Sequence, residues 1–108
     1  MKNKVLHLPL KAKWYNMIES GEKLEEYREI NDYWCKRLLV NPNQRLYTFD
    51  GKIRKCEEVV FKKFSHSVFR YGYTKRTMRK EIKSIAIGRG NSNWGAPTDR
   101  DVFIIKFK

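Results

Sequence analysis

Residues 20–30 read SGEKLEEYREI and mark the point where a helical pattern gives way to an extended one. Before this stretch, apolar side chains recur at spacings of three and four residues, as on one face of a helix. A glycine follows where a left-handed C-cap is usual, so we predict that a helix over residues 11–20 ends at Gly21. The apolar face of this helix consists of Leu10, Trp14, Met17 and Ile18.

The same stretch contains the pattern G-x-K-x-x-E-x-R, formed by Gly21, Lys23, Glu26 and Arg28. In a strand that begins near Leu24, Glu26 and Arg28 lie on one face and are close enough to pair. Lys23 falls in the turn and can lean over that face. Spacing alone favours another interpretation, an exposed turn with a surface ion pair, because such pairs are common and weak.

With the features around it, the motif resembles the ASCH (activating-signal-cointegrator homology) family of the PUA-like superfamily, in its small single-domain phage or bacterial type. The resemblance covers nearly the whole chain. The matching features, in chain order, are His7, the Trp-bearing helix, the motif, Tyr33-Trp34, the loop from Gly88 to Gly95 and the closing strand from Asp101 to Phe107.

The resemblance implies one α+β domain over residues 1–108, a PUA-like small mixed β-barrel flanked by two or three helices. It also implies that the motif lines a cleft for RNA or a nucleobase, with Asn93, Trp94 and Gly95 nearby. Tyr33 and Trp34 either pack in the core or border the cleft as stacking surfaces. The candidate cleft residues are Gly21, Lys23, Glu26, Arg28, Tyr33, Trp34 and Trp94.

Positive charge is concentrated in the middle of the chain. The net charge is +12, from 24 Lys and Arg against 12 Asp and Glu. Residues 52–89 carry 12 basic and 3 acidic side chains, so the excess should form a patch that faces a polyanion. Nucleic acid is the first candidate. A membrane surface would need an amphipathic helix, and the basic segment lacks that period.

Residues 65–80 read SHSVFRYGYTKRTMRK, with no acidic residue and with rings interleaved among cations. The segment has no clean helix or strand period, and we predict a mobile arm or loop in which cations meet phosphates and rings meet bases. The alternative is a solvated basic loop whose rings fold back onto the barrel. The candidate nucleic-acid-binding residues are Arg70, Tyr71, Tyr73, Lys75, Arg76, Arg79, Lys80 and Arg89.

Turn and cap signals predict the remaining elements. A short first strand over residues 5–10 is interrupted at Pro9, which suits an edge or a strand end, and Asn31 or Asp32 caps a short second helix. Asp50-Gly51 predicts a hairpin turn, and apolar runs predict further strands. These strands cover residues 57–64, 81–87 and 102–107, the last one central in the sheet. The two glycines of Gly88-Arg89-Gly90 match no phosphate-loop fingerprint.

We expect a cytoplasmic monomer without a metal or other cofactor. Cys35 and Cys56 are expected to be reduced thiols, since the N-terminus has no secretory signal. No apolar run is long enough to span a bilayer. His7 and His66 do not stand near a cysteine in zinc-site spacing.

Three functions remain open. The first is binding of RNA, other single-stranded nucleic acid or a nucleotide. The second is a small hydrolase or ribonuclease in which Lys23 is base or nucleophile, with Glu26 or His66 transferring protons. Family hydrolases that remove an acyl group from cytidine resemble this chain at Lys23. They have threonine at the position of Glu26, however, and a glutamate in the segment that corresponds to residues 65–80. The third function is binding of an acidic protein.

Overall fold

The fold is built around a five-stranded sheet, seen in a computed structural model that describes residues 4–40, 46–47, 54–55 and 60–108. Two α-helices lie in the described part of the chain. In chain order the elements are β1 Lys4–Leu10, α1 Ala12–Glu19, β2 Glu25–Arg28, α2 Asp32–Leu38, β3 Leu46–Tyr47, β4 Arg54–Lys55, β5 Phe64–Tyr71, β6 Thr77–Gly88, a short 3₁₀ helix Ser92–Trp94, and β7 Val102–Phe107.

The sheet is mixed. Its strand order is β1-β5-β6-β7-β2, with β1 parallel to β5 and β5 antiparallel to β6. A second, two-stranded sheet pairs β3 with β4. The α+β class, the mixed sheet and the flanking helices agree with the prediction, whereas closure into a PUA-like barrel stays a prediction.

Buried and exposed residues alternate along the edge strand β1. Leu6, Leu8 and Leu10 are buried, while His7 and Pro9 are exposed. Proline has no N–H to donate, and an edge position tolerates that loss. The predicted strand is therefore confirmed and lies at the edge of the sheet, but Pro9 does not interrupt it, since Pro9 and Leu10 continue the pairing with β5.

Helix α1 ends where the sequence predicts. Gly21 has a φ of 87°, and its N–H donates to the carbonyl oxygen of Ile18 at 3.1 Å. The predicted apolar face is only partly right, because the buried residues of α1 are Tyr15 and Ile18, whereas Trp14 is half-buried.

Residues 65–80 do not form the predicted mobile arm or loop. They belong to β5 and β6 and to the turn between these strands. Strand β5 is paired on both sides, with β1 and with β6, and buries Ser67 and Phe69. The two-residue period is not visible in the sequence, because the polar Ser67 points inward and the apolar Val68 points outward.

Most of the other predicted elements are present. Asn31 caps α2, and its side chain accepts a hydrogen bond from the Trp34 N–H at 2.9 Å. The predicted strands over residues 81–87 and 102–107 correspond to β6 and to β7, which lies between β6 and β2. The Asp50-Gly51 turn lies outside the described residues. In the described part of residues 57–64, Phe61 forms an isolated bridge with Leu39, and the regular strand begins at Phe64.

The chain divides into two compact units. Unit 1 comprises Met1–Glu26, Lys63–Ser84 and Ile105–Lys108, and unit 2 comprises Tyr27–Lys62 and Ile85–Ile104. The single domain expected from sequence stays a prediction. The largest buried apolar side chains of unit 1 are Leu6, Leu8, Leu10, Tyr15, Ile18, Phe69, Ile105 and Phe107. Those of unit 2 are Tyr27, Ile30, Leu38, Leu39, Val102 and Phe103.

Neither α1 nor α2, the two α-helices in the described residues, is long and apolar enough to cross a membrane.

Replacing Ser67 by alanine should raise the free energy of unfolding by about 1 kcal/mol. Ser67 is fully buried, and its Oγ has no hydrogen-bond partner in the described residues. A buried hydroxyl without a partner costs about 1–3 kcal/mol, which alanine relieves. Urea unfolding followed by circular dichroism measures the change. Ser84→Ala, at an exposed position of β6, is the control and should stay within about 0.5 kcal/mol. A loss of stability in Ser67→Ala would contradict an unpaired hydroxyl.

Candidate functional site

A buried ion pair lies at the junction of α1 and β2. The ammonium Nζ of Lys23 is 2.9 Å from Oε1 of Glu26, and the two side chains are 0% and 6% exposed. The ring of Trp14 lies against the same ammonium, 5.2 Å from Nζ to its centroid. The Lys23 N–H donates to the carbonyl oxygen of Met17 at 2.9 Å, so the backbone also ties the junction to the helix.

This pair differs from both pairings that the sequence suggests. Lys23 and Glu26 are shielded from water, so an exposed surface pair does not describe them. Pairing of Glu26 with Arg28 stays a prediction. A charge taken out of water needs a partner, and losing one member of a buried pair leaves the other uncompensated. In this structure Lys23 and Glu26 therefore stabilise the junction, and the Lys23 ammonium is covered.

A cavity of about 290 Å³ opens at the end of β2, in unit 2. This size is close to the lower end of known small-molecule sites. Its lining includes two arginines, Arg28 and Arg100, and one acidic residue, Glu29. The full lining is Tyr27, Arg28, Glu29, Gly95, Pro97, Arg100 and Val102.

Arg28 contacts an aromatic ring and a backbone carbonyl group. Its Cζ lies 5.2 Å from the centroid of the Trp34 ring, within the range of a cation–π interaction. Its Nη1 donates to the carbonyl oxygen of Tyr27 at 3.0 Å. Trp34 itself is half-buried and fixed by the Asn31 cap. The structure thus brings together Arg28 and Trp34, two of the predicted cleft residues.

Tyr33 is the neighbouring aromatic residue of α2. It is exposed, and its ring meets the ring of Trp34 edge-to-face at 5.0 Å. The guanidinium of Arg37 lies 5.5 Å from the Tyr33 centroid. Tyr33 is therefore available to solvent next to the tryptophan that supports Arg28.

The loop after β6 packs on Tyr27. The Asn91 N–H donates to the Tyr27 hydroxyl at 2.9 Å, and Trp94 packs against a cluster that contains Tyr27 and Val102. Gly95 has a φ of 98° and lines the cavity with Arg28. At the other end of the loop, Arg89 donates to the Thr98 carbonyl oxygen at 2.6 Å and lies 3.2 Å from Asp101.

Gly90 allows this close packing. A Cβ at residue 90 would lie 2.6 Å from the Cβ of Ala96 and 2.6 Å from a ring carbon of Tyr27. Close packing therefore explains why residue 90 is glycine, and a bound phosphate is not needed to explain it. Gly21 differs, since nothing lies within 4 Å of its added Cβ and only its positive φ requires glycine.

Sequence reasoning missed Arg100, Glu29 and Pro97 as cavity residues. They come from segments far apart in the chain, and no motif joins them. The sequence singles out Arg100 in one respect, because it is the only basic residue between Gly90 and Ile105.

The predicted nucleic-acid-binding residues separate into several environments. Arg70 and Arg79 are exposed on one face of the sheet in unit 1, and Tyr73 and Lys75 lie in the exposed turn after β5. Lys80 is half-buried on the opposite face, because it pairs with the inward-facing Ser67. The others are Tyr71 and Arg76, in contact with α1, and Arg89, in the loop of unit 2.

Cys35 is a buried free thiol in α2. Burial, and secondly the negative charge of Asp32, raise the pKa of the Cys35 thiol. The raised pKa disfavours the thiolate, which is the nucleophilic form. Cys56 lies outside the described residues. The described residues contain no group of three or more His, Cys, Asp or Glu side chains that could hold a metal ion.

Comparisons with protein-family models, with curated proteins and with solved structures found no match.

Replacing Glu26 by glutamine should destabilise the protein strongly, by about 3–5 kcal/mol, because the buried ammonium of Lys23 would lose the carboxylate of Glu26. Denaturant unfolding measures the loss. The double variant Lys23→Met/Glu26→Gln removes the buried charge and should recover a large part of the stability. A Glu26→Gln variant as stable as the natural protein would contradict the importance of the pair.

Replacing Gly90 by alanine should cost about 1–3 kcal/mol, because the new methyl group overpacks the contact between Tyr27 and Ala96. Gly88→Ala is the matched control, since its nearest neighbour would be Ile104 Cδ1 at an ordinary 3.6 Å. Thermal and denaturant unfolding of both variants test the difference. Equal costs at the two positions would contradict the steric explanation.

Proposed function

We propose that this protein is an RNA-binding module that receives one base or nucleotide in the Arg28 cavity. The observation that carries this proposal is that two arginines, Arg28 and Arg100, line one cavity together with apolar residues. Guanidinium groups offer planar, paired donors that match phosphates and the acceptor edges of bases.

The support of Arg28 favours recognition of a flat, hydrogen-bonding ligand. Stacking on Trp34 and donation to the Tyr27 carbonyl restrict the side chain before any ligand binds. A restricted side chain loses less conformational entropy on binding. Arg100 is similarly oriented by Asp99, with Nε 3.2 Å from Oδ1.

The rest of the lining favours a base over a bare polyphosphate. Tyr27, Pro97 and Val102 supply apolar surface, against which a heterocycle can pack. The carboxylate of Glu29 would repel an isolated phosphate but can accept a hydrogen bond from the amino group of a base.

The net charge of +12 supports RNA as the source of that base. A strongly basic chain attracts the phosphate backbone and releases counterions on contact. Binding of an acidic protein would use the same charge but would leave the cavity unexplained.

We include membership of the ASCH family in this proposal. Support comes from the order of elements, a strand, a helix that ends at Gly21, the motif strand and a second helix with Tyr33-Trp34. The hydrolase alternative has less support. Its central group, the Lys23 ammonium, is covered by Glu26 and Trp14.

Replacing Arg28 by alanine should weaken binding of short single-stranded RNA about tenfold, since hydrogen bonds to charged groups contribute about 1.5–3 kcal/mol. Fluorescence anisotropy with a labelled random ten-nucleotide RNA pool measures the dissociation constant. Lys36→Ala removes one positive charge from an exposed position of α2 and serves as the control, with an expected change below about twofold. Equal losses in the two variants would reduce the role of Arg28 to net charge and would contradict the cavity as the binding site.

A further inference from the structure

We propose that unit 1 carries a second nucleic-acid surface, where a single strand lies with its phosphates along the exposed sheet face and one base stacks on Tyr73. This inference rests on the proposed RNA binding and adds a surface outside the Arg28 cavity. We call it the outer face. Its strand residues are Val5, His7, Pro9, His66, Val68, Arg70, Thr77, Arg79, Glu81 and Lys83.

The strand register places the basic residues on the outer face. Arg70 is opposite Thr77, and Val68 is opposite Arg79. Residues two apart on a strand point to the same side, so Arg79 and Lys83 share a face and lie about 13 Å apart along β6. These cations therefore form a line that begins beside the turn after β5.

One carboxylate, that of Glu81, lies on the same face of β6, between Arg79 and Lys83. Arg70, Arg79 and Lys83 are exposed, and none of them has a carboxylate partner among the described residues. The acidic residue of the face, Glu81, lies 3.6 Å from the ammonium of Lys108. A polyanion on this face meets cations that have no ion-pair partner in the part of the chain that the structure describes, and such cations can contact phosphates.

Tyr73 stands at one end of this line. It is 96% exposed, in the turn between β5 and β6. Hydrogen bonds fix the turn: the Gly72 N–H donates to the Leu10 carbonyl oxygen at 2.7 Å, and the Thr74 hydroxyl donates to the Tyr71 carbonyl oxygen at 2.6 Å. The ring is thus presented to solvent by an ordered turn, next to the exposed Lys75.

Arg76 holds this turn on α1. Its Nη2 lies 3.0 Å and 3.2 Å from the two carboxylate oxygens of Glu19. Its Cζ lies 5.1 Å from the ring centroid of Tyr15 and 5.0 Å from that of Tyr71. The bond to Glu19 raises the pKa of the Arg76 guanidinium. We therefore assign Arg76 as a positioning residue, in place of the phosphate contact expected from sequence.

Single-stranded nucleic acid fits these features better than an acidic protein does. A row of cations can bind either partner. The exposed ring of Tyr73 adds a surface on which a base can stack, and such stacking does not depend on the base sequence. The phosphates then supply most of the affinity and the ring fixes the position of one nucleotide.

Comparison of two oligomers tests the role of Tyr73. The probes are a ten-nucleotide oligouridylate and an abasic sugar-phosphate backbone of equal length, with binding followed by anisotropy. Tyr73→Ala should weaken oligouridylate binding about tenfold and leave binding of the abasic backbone unchanged within about twofold. Tyr73→Phe retains the ring and should bind as the natural protein does. A merely structural role of Tyr73 would affect both oligomers.

The salt dependence tests the line of cations. Arg79→Gln should weaken binding of both oligomers. It should also make the slope of log K against log salt shallower by about 0.7, the value for one phosphate of a single strand. Lys36→Gln, outside the outer face, should leave the slope unchanged.

Each contrary result has a distinct meaning. Equal behaviour of Tyr73→Ala and the natural protein, or equal losses on both oligomers, would overturn the stacking assignment while RNA binding stands. Binding of a ten-residue polyglutamate as tightly as oligouridylate would overturn nucleic acid as the occupant. If the natural protein bound neither oligomer, the proposed function would fail, and this surface with it.

Discussion

The buried ion pair between Lys23 and Glu26 is the constraint on which unit 1 depends most. The ammonium and the carboxylate are 2.9 Å apart and almost fully shielded from water. Neither charge can return to solvent without leaving the other unpaired in the interior, and that penalty fixes the end of α1 against the start of β2. The positive φ of Gly21 makes the same turn possible from the backbone side. Charge pairing and backbone geometry thus define one junction.

Unit 2 is organised by a contact of another kind. Tyr27 is buried, and one of its ring carbons would lie only 2.6 Å from a Cβ at residue 90. Its hydroxyl accepts a hydrogen bond from the Asn91 N–H. A loop held this closely brings Gly95 to the wall that contains Arg28. The cavity therefore depends on the absence of one methyl group at Gly90 as much as on the charged residues that line it.

Local signals in the sequence predicted the parts of the fold that depend on local physics. Gly21 ends α1 because few other residues adopt a positive φ, and β7 is apolar at every position except Lys106 because it lies between two strands. Residues 65–80 were mispredicted because Ser67 faces inward and Val68 outward, which disguises the strand period. The pairing of Lys23 with Glu26 crosses an irregular junction, where neither the helix nor the strand period applies. The cavity joins residues near 28 and near 100, which no local pattern connects.

Two stacked arginines show how similar local chemistry leads to different roles. Arg28 and Arg76 each lie over aromatic rings, at 5.2 Å from Trp34 and at 5.0 Å from Tyr71. The Nη2 group of Arg76 contacts both carboxylate oxygens of Glu19, and this contact ties the turn that carries Tyr73 to α1. Arg28 instead lines a cavity with a second arginine. A cation–π contact restrains the guanidinium group in both arginines, but their surroundings differ, since Arg76 meets a carboxylate of α1 and Arg28 lines a cavity.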